Sequence, residues 1–231
     1  MDFHPEQATL NAMFSAISKH YDFLNDILSF GVQRLWRRAL FKELPEKKVG
    51  RILDLCTGTG ALLPGLVEHA HELVGLDICR PMMRKAFERL RPHVLEKASF
   101  IEADASAIPL PNESMDFVVV AFGVRNFVEL EKCLAEIRRV LKNKGLLFII
   151  ELGQPQNCFL KVFYALYSFC LLPLIGALVS SNLKAYKYLH KSSSSFPCGA
   201  DFERILKRCD LRVELSKPLS FGIAYLYKAS K

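Results

Sequence analysis

The feature that most constrains the fold is an apolar run that leads into a glycine turn. Residues 51–60 read Arg-Ile-Leu-Asp-Leu-Cys-Thr-Gly-Thr-Gly. The aliphatic residues predict a buried strand, and Gly58 and Gly60 allow the backbone to turn tightly and to approach a ligand closely. A strand that passes through such a turn into a helix is typical of α/β domains, which bind ligands at the end of the sheet.

The region around this turn alternates short aliphatic runs with helical patterns, which predicts βαβ units and a parallel sheet. The five candidate strands are residues 51–56, 72–77, 99–102, 116–121 and 146–152. An apolar stripe at helical spacing before the fifth strand consists of Leu130, Cys133, Leu134, Ile137 and Leu141. Lys142 and Lys144 suit the C-terminal end of that helix, and Gly145 is expected to stop it.

The two ends of the chain add further elements. Helices are expected before residue 50, and residues 192–195 are expected to form a loop. An amphipathic helix near the C-terminus is indicated by Phe202, Ile205, Leu206 and Cys209. Residues 211–215 and 222–228 then predict an antiparallel strand pair at one edge of the sheet.

Charge and cysteine content narrow the class of protein. The chain has 231 residues and a net charge of +7, and residues 151–231 hold 11 Lys or Arg against 5 Asp or Glu. Because this excess lies beside the most apolar stretch, it favours a peripheral contact with a membrane surface over nucleic acid; solvated surface lysines are the alternative. Seven cysteines without C-x-x-C spacing, and a start without a signal-peptide pattern, predict reduced thiols in a cytoplasmic protein.

The most apolar stretch is residues 162–179, in which Ser168 is the only clearly polar residue. As one helix it would span about 27 Å, but Pro173 and Gly176 interrupt it, and a single crossing would separate the final strand pair from its sheet. We expect instead a buried helix pair, or a lid whose apolar face binds an oily substrate or rests on a bilayer. The aromatic residues of this region are Phe159, Phe163, Tyr164, Tyr167 and Phe169.

Three carboxylates follow successive predicted strands: Asp54, Asp77 and Asp104. Asp77 can accept both ribose hydroxyls of an adenosine cofactor, and Asp104 can accept from an adenine amino group. Asp54, beside the glycine turn, suits a cationic ligand rather than a pyrophosphate. A nicotinamide fingerprint would need a glycine where Leu63 stands, so a nicotinamide oxidoreductase is the less favoured rival. Each acid taken singly would be a helix N-cap or a solvated loop residue.

From residue 51 to about residue 152, the pattern resembles the class I S-adenosylmethionine methyltransferases. The resemblance implies that S-adenosyl-L-methionine is the cofactor. It also implies an α/β fold with a doubly wound, mostly parallel, seven-stranded Rossmann-like sheet, N-terminal helices, and a helical insert before the last two strands. The cofactor-binding residues that it implies are Asp54, Gly58, Thr59 and Gly60 for the methionine part, Asp77 for the ribose, Asp104 and Ala105 for the adenine, and Ala121 beside them.

Outside this core, four motifs resemble the menaquinone/ubiquinone biosynthesis C-methyltransferases (UbiE/MenG). The motifs are residues 21–36, residues 122–126, residues 139–142 with Glu151, and residues 172–176 with 185–189. The resemblance runs nearly end to end. It implies methylation of a ring carbon of a prenylated quinol, most specifically demethylmenaquinol, with a benzoquinol of the ubiquinone pathway as the alternative.

The chain departs from that family pattern at several positions. Gln33 replaces the usual His and cannot carry a proton. Ala121 replaces a Ser that often contacts the cofactor, so it offers only backbone or van der Waals contact. Residues 143–144 read Asn-Lys instead of Pro-Gly, and residues 152–153 read Leu-Gly instead of Phe-Ser. Gln33 and Ala121 keep a further alternative open, namely a noncatalytic binding protein with the same fold.

The chemistry of that reaction gives a hypothesis for the catalytic residues. The ring carbon becomes nucleophilic when the neighbouring hydroxyl ionises, which costs roughly 4 kcal/mol at neutral pH. The Arg125 guanidinium would favour that anion, directly or by orienting a water. Tyr21, Asp22 and Asn126 would position the ring, and Asp22 would serve as the base if partly buried. The alternative for Arg125 is a surface ion pair with Glu129.

The remaining predictions concern metals and domain organisation. The histidines and cysteines show no metal-ligand spacing, so no metal site is predicted. We expect one domain with a helical cap at 1–48, a cofactor-binding core at 49–153, an insert or lid at 154–198, and a final helix with a strand pair at 199–231. The oligomeric state is left open, with a homo-oligomer as one option.

Overall fold

A computed structural model describes residues 7–18, 21–155 and 183–231 of the chain. Its centre is a seven-stranded sheet with the order β3-β2-β1-β4-β5-β7-β6. The strands are β1 (Val49–Leu55), β2 (Ala70–Asp77), β3 (Ala98–Glu102), β4 (Met115–Ala121), β5 (Leu141–Leu152), β6 (Arg212–Leu219) and β7 (Ala224–Ser230). The first five strands are parallel, whereas β7 is antiparallel to both of its neighbours, β5 and β6. The predicted α/β fold class is therefore confirmed, including the antiparallel pair at the sheet edge.

Helices cover the sheet and its ends. In chain order, the described helices are α1 (Gln7–Ile17), α2 (Tyr21–Leu28), α3 (Val32–Glu43), α4 (Leu63–Leu66), α5 (Arg80–Arg89), α6 (Pro92–Leu95), α7 (Leu130–Val140), α8 (Leu183–Ser195) and α9 (Ala200–Arg208). The first three confirm the helices predicted before residue 50. The predicted C-terminal amphipathic helix is α9, which buries Phe202 and Leu206.

Side chains of β1 enter two cores, one on each face of the sheet. Ile52 packs in the core that contains Trp36 and Leu40 of α3. Leu53 and Leu55 belong to the other core, to which α7 and α9 contribute. A parallel strand buried on both faces is largely apolar, and β1 follows this rule at Ile52, Leu53 and Leu55, with the buried Asp54 as an exception. The two cores hold the C-terminal end of β1 at the centre of the molecule, beside β2 and β4.

The helix before β5 ends earlier than predicted. α7 ends at Val140, so Lys142 and Lys144 lie in β5 rather than in the last helical turn, and that part of the prediction is wrong. The Lys142 ammonium pairs with Asp116 of β4 at 2.8 Å, and this ion pair stabilises the lysine in its position in β5. Gly145 does not stop the helix. A Cβ added there would lie 3.1 Å from the Asp116 carbonyl oxygen, so glycine permits close approach of β5 to β4.

The loop predicted at residues 192–195 is also wrong, because these serines form the end of α8. The Ser192 hydroxyl donates to the Leu189 carbonyl at 3.2 Å, and the Ser195 hydroxyl donates to the Lys191 carbonyl at 2.8 Å. Serine side chains inside a helix can bond to carbonyls of the preceding turn in this way. The serines therefore satisfy their hydroxyls within the helix.

Part of the predicted insert cannot be compared with the structure. Residues 156–182, which contain the apolar stretch 162–179, its aromatic residues, Cys158 and Cys170, lie outside the described residues. Within the ranges 7–18, 21–155 and 183–231, no helix is both long and apolar enough for a bilayer crossing. The division of the chain into four parts stays a prediction.

Substitution of two glycines with positive φ, one crowded and one not, tests how closely the turn after β1 is packed. Gly60 has φ +70°, and a Cβ added to it would lie 2.9 Å from the Ala86 Cβ on α5. We expect Gly60→Ala to lower the free energy of unfolding by about 2–4 kcal/mol, from crowding together with the left-handed backbone. Gly31 has φ +73° and nothing within 4 Å, so Gly31→Ala should cost only about 1 kcal/mol. Equal losses in denaturant unfolding would contradict the crowding at Gly60.

Candidate active site

The carboxyl ends of the central strands open into two adjoining cavities. The larger encloses about 1030 Å³ including its open mouth, a size that suits a small-molecule cofactor. The residues that line both cavities are Tyr21, Cys56, Gly58, Ala121 and Phe122. Both cavities therefore lie where β1 adjoins β4, the point in a doubly wound sheet where ligands bind.

Asp54 lies near the end of β1, lines the smaller cavity and is only 2% exposed. The Thr57 hydroxyl donates to its Oδ2 at 2.6 Å. Burial raises the pKa of the Asp54 carboxyl to about 7, although the hydrogen bond from Thr57 opposes that shift. The ionised form is costly here without a nearby cation, so a cationic ligand group would fit against this carboxylate.

Asp77 lies at the end of β2 and lines the larger cavity. Its Oδ2 accepts a hydrogen bond from the Gly58 backbone N–H at 2.8 Å, and its Oδ1 accepts one from the Cys79 N–H at 2.8 Å. Burial raises the pKa of the Asp77 carboxyl, and these backbone donors oppose that shift. Both donors fix the orientation of the side chain. A carboxylate has about four acceptor sites, more than its backbone donors use, so it can also accept from a ribose hydroxyl.

Asp104 and Ala105 follow β3 and line the same larger cavity. Asp104 Oδ1 accepts a hydrogen bond from the Ser106 N–H at 2.7 Å, a local turn contact that leaves its other oxygen available. Ala105 is buried. The structure thus brings the residues expected at the adenine to the same cavity as Asp77.

The residues of the glycine turn take different positions. Gly58 lines both cavities, and Thr59 lines the smaller one. Gly60 lines neither of them. It allows the turn to pack closely against Ala86 and Leu90 of the α5 region instead. Its expected part in cofactor contact stays a prediction.

The chain reverses after β1 and again after β4 through residues in the left-handed region. Cys56 and Phe122 both have φ +59°. The two reversals pack against each other, since a Cβ added to Gly123 would lie 2.6 Å from the Cys56 Cβ. Ala121, the last residue of β4, presents only a methyl group to both cavities.

The N-terminal helices cover both cavities. The α1 residues that line the larger cavity are Leu10, Asn11 and Phe14. On α2, Asp22 Oδ1 accepts a hydrogen bond from the Thr59 hydroxyl at 2.7 Å. The Asp22 carboxylate also pairs with Arg89 of α5. Asp22 therefore connects the cap to the glycine turn and to α5.

Arg125 is buried, and its partner is Glu151 rather than Glu129, so the surface ion pair is wrong. The Arg125 Nη1 donates to Glu151 Oε1 at 2.7 Å and to the Phe122 carbonyl at 2.6 Å. Glu129 pairs instead with Lys132. The side chains of Arg125 and Glu151 are 6% and 1% exposed. Arg125 lines neither cavity.

Asn126 and Tyr21 line the larger cavity. The Tyr188 hydroxyl of α8 donates to Asn126 Oδ1 at 2.9 Å. Burial raises the pKa of the Tyr188 hydroxyl, whereas the Arg125 cation acts in the opposite direction. Tyr21 and Asn126 thus line one cavity, and the Arg125 guanidinium interacts electrostatically with the Tyr21 hydroxyl.

Gln33 stands where a proton carrier is usual in the family. It is buried and lines the smaller cavity. Its Nε2 donates to Asp26 Oδ1 at 2.8 Å. The amide therefore has a structural bond that ties α3 to the residues at the end of α2.

Sequence reasoning missed several cavity residues. Cys56, Cys79 and Cys133 line the larger cavity as free thiols. Burial raises the pKa of all three, that of Cys133 to about 12. Of these three, only Cys56 could have been placed at the cavity from the sequence, because it lies inside the glycine-turn motif. In the described part of the chain, no group of three or more His, Cys, Asp or Glu residues is placed to bind a metal.

Solved structures show which class of fold this is. A methyltransferase from Aquifex aeolicus, described as SAM-dependent, superposes with a TM-score of 0.59 at 20% identity, covering 84% of this chain and 88% of that one. The [4+2]-cyclase SpnF superposes with a TM-score of 0.64 at 14% identity, covering 98% and 97%. The fold is therefore that of the S-adenosylmethionine-dependent methyltransferases, and the second match shows that it does not fix the reaction.

Sequence comparison gives the family. The profile of the ubiE/COQ5 methyltransferase family matches residues 3–231. The ubiquinone/menaquinone biosynthesis C-methyltransferase UbiE of Syntrophotalea carbinolica is 37% identical over 100% of this chain and 97% of its own length. The demethylmenaquinone methyltransferase of Thermus thermophilus is 40% identical over 93% and 98%. The chain belongs to the ubiE/COQ5 methyltransferase family and is an S-adenosyl-L-methionine-dependent C-methyltransferase.

The buried Asp54 carboxyl predicts a pH-dependent affinity for the cofactor. Its pKa of about 7 means that its ionised fraction rises from about one-tenth at pH 6 to about nine-tenths at pH 8. Because a cation binds better to the ionised form, we expect the affinity for S-adenosyl-L-methionine to rise by up to about tenfold across that range. Titration calorimetry in buffers of different ionisation enthalpy measures both the affinity and the protons released.

Two controls accompany that measurement. Asp54→Asn should flatten the pH profile, whereas Asp104→Asn should weaken binding and keep the slope. Since the folded pKa of Asp54 lies above its unfolded value, the free energy of unfolding without cofactor should fall as pH rises from about 4 to about 7. An affinity independent of pH in the unaltered protein would rule out this role of Asp54.

Proposed function

We propose that this protein methylates a ring carbon of a prenylated quinol, and that its preferred substrate is demethylmenaquinol. The single observation that carries the proposal is that the larger cavity joins Asp77 and Asp104 to Tyr21 and Asn126, next to the buried Arg125 cation. The relatives named for demethylmenaquinone methylation support the choice of ring. The relatives named for both quinones make a benzoquinol the second candidate.

The cofactor residues are arranged for S-adenosyl-L-methionine. Asp54 and Gly58 would hold the methionine part, Asp77 the ribose, and Asp104 with Ala105 the adenine. When bound, the cofactor supplies an electrophilic methyl group on a sulfonium centre. The uncompensated Asp54 carboxyl supports this assignment, because the cofactor brings cationic groups.

Arg125 stabilises the ionised substrate hydroxyl by its charge. Its guanidinium interacts electrostatically with the hydroxyls of both Tyr21 and Tyr188, so a phenolic oxygen at that end of the cavity would also lie in its field. A quinol hydroxyl needs such help, since its pKa lies about three units above neutral pH. Glu151 holds the guanidinium in place through the bond to Nη1 and accepts from the Arg125 backbone N–H at 3.1 Å.

Asn126 and Tyr21 position the quinol ring, and Tyr188 orients the Asn126 amide. Asp22 has a different part, because its carboxylate already accepts from Thr59 and pairs with Arg89. We assign it to holding the cap over the glycine turn rather than to accepting the substrate proton. Alignment of donor and acceptor can supply about 7–11 kcal/mol of the barrier reduction, so closure of the cap contributes directly to rate.

The substrate tail determines where the enzyme works. A prenylated quinol resides in the bilayer, so the protein is expected to act in the cytoplasm at the inner face of the membrane. The positive net charge supports that location, since the cytoplasmic leaflet is anionic.

The proposed reaction is tested with methyl-labelled S-adenosyl-L-methionine and two acceptors in parallel, reduced demethylmenaquinone and the reduced demethylated ubiquinone precursor. We expect label in the organic phase with both acceptors or with the naphthoquinol alone, and a higher kcat/KM for the naphthoquinol. A preference for the benzoquinol would reverse the substrate order. Binding of the cofactor with no label in either quinol would refute quinol methylation.

Arg125→Gln tests the role of the buried charge. We expect turnover to fall at least tenfold while the Kd for S-adenosyl-L-methionine changes less than twofold, because Arg125 acts on the quinol oxygen. The variant leaves Glu151 buried without its partner, at a cost of about 3–5 kcal/mol in unfolding free energy. Arg125→Gln with Glu151→Gln removes both charges, so it should recover stability but not turnover.

Arg139 offers a matched control for Arg125. It also pairs with a glutamate, Glu136, and also donates to backbone carbonyls, those of Ile108 and Leu110, but it lies outside both cavities. Arg139→Gln should therefore lower stability and leave turnover within about twofold. An unchanged turnover in the Arg125→Gln variant would remove Arg125 from the mechanism.

A further inference from the structure

The helix α3 of the cap presents a cation to the smaller cavity. Gln33 and Arg37 lie four positions apart on one face of this helix, and both line the cavity. Trp36 of the same helix is buried in the core, which fixes the rotation of the helix. The Arg37 Nη1 donates to the Ala61 carbonyl at 3.5 Å, so the guanidinium lies against the backbone just after the glycine turn.

This guanidinium uses few of its hydrogen-bond donors within the protein. Arginine has five N–H donors, and 3.5 Å is long for a bond from any of them. Burial lowers the pKa of Arg37, although the charges of Asp26 and Asp22 oppose that shift. In the part of the chain that the structure describes, no ion pair within 4 Å joins Arg37 to an acid. The cation is therefore partly removed from water without a bonded counter-charge.

The two acids whose charges act on Arg37 are engaged elsewhere. Asp26 pairs with Arg34, and Asp22 pairs with Arg89. Each of these carboxylates also accepts a hydrogen bond from an uncharged side chain. Because their own partners compensate both acids, they leave the charge of Arg37 available to a ligand.

The smaller cavity thus holds two groups of opposite charge that have no bonded ion partner, Arg37 and Asp54. The described contacts include no ion pair between them. A ligand that carries an ammonium and a carboxylate on one carbon, as a zwitterionic amino acid does, would compensate both groups. The cavity encloses about 490 Å³ including its open mouth, and it adjoins the larger cavity, where the ribose and the adenine are expected.

We infer that Arg37 binds the α-carboxylate of S-adenosyl-L-methionine, while Asp54 takes the α-ammonium. A guanidinium suits this task because its planar donors match the two oxygens of a carboxylate. The inference rests on the part of the proposed function that places the methionine end of the cofactor at Asp54, and it is independent of the methyl acceptor. It adds a residue of the helical cap to a set of cofactor residues that otherwise all follow residue 50.

Titration calorimetry of the full chain with two ligands tests this role. The ligands are S-adenosyl-L-methionine and decarboxylated S-adenosylmethionine, which keeps the sulfonium and the amine but lacks the carboxylate. Measurements at pH 8 keep the Asp54 carboxyl mostly ionised. The variants are Arg37→Gln and Arg37→Lys, and the matched control is Arg38→Gln, at the exposed neighbouring cation of the same helix. Denaturant unfolding of each variant checks that it is folded.

We expect the unaltered protein to bind the intact cofactor at least about tenfold more tightly than the decarboxylated one, as a lost charge-assisted hydrogen bond implies. Arg37→Gln should weaken binding of the intact cofactor by a similar factor. It should not weaken binding of the decarboxylated ligand, because removal of a cation also relieves its repulsion of that dication. Arg37→Lys should recover part of the preference, and Arg38→Gln should keep all of it.

Three results would overturn the inference. The first is an unchanged affinity of Arg37→Gln for the intact cofactor. The second is equal weakening of both ligands, which would give Arg37 only a structural role at the turn. The third is the same loss in Arg38→Gln, which would indicate a general effect of charge. Binding of the cofactor that depends on Arg37, without methylation of any quinol, would refute the proposed reaction alone.

Discussion

Two chain reversals packed against each other determine the shape of the active site. Cys56 after β1 and Phe122 after β4 take the left-handed conformation, and glycine at position 123 lets the two segments touch. Because β1 and β4 are neighbours in the sheet, their reversals lead the chain to opposite sides and leave the cavities between them. The glycine turn, Ala121 and the Arg125 segment all take their positions from this contact.

The buried charges around the site follow two different rules. Asp54 has no ion-pair partner among the described residues, and burial raises its pKa to about 7, so a cationic ligand would favour its ionised form. Arg125 and Glu151 form a buried ion pair, so the guanidinium is held in place in the absence of ligand. The first arrangement suits recognition of a charged cofactor. In the proposed function, the second would keep a cation fixed near the quinol oxygen.

The sequence was most informative where position along the chain determines position in space. Parallel strands bring their carboxyl ends to one edge, so acids after successive strands had to converge, and Asp77 lies where predicted. The partners of Arg125 and Lys142 were beyond such reasoning, because Glu151 and Asp116 reach them only through the adjacency of β4 and β5. From the sequence alone, an ion pair with a surface residue three or four positions away was as reasonable as a pair with these distant acids. Burial, which no local pattern reveals, decided between them.

The thiols that line the larger cavity are potential sites of reaction with the oxidised form of the substrate. An oxidised quinone adds to cysteine through the thiolate, and Cys56 and Cys133 are held protonated by burial next to carboxylates. If these cysteines were ionised, an oxidised quinone in the cavity would arylate their thiolates. The burial of these thiols raises their pKa and so lowers the fraction present as reactive thiolate beside the quinone.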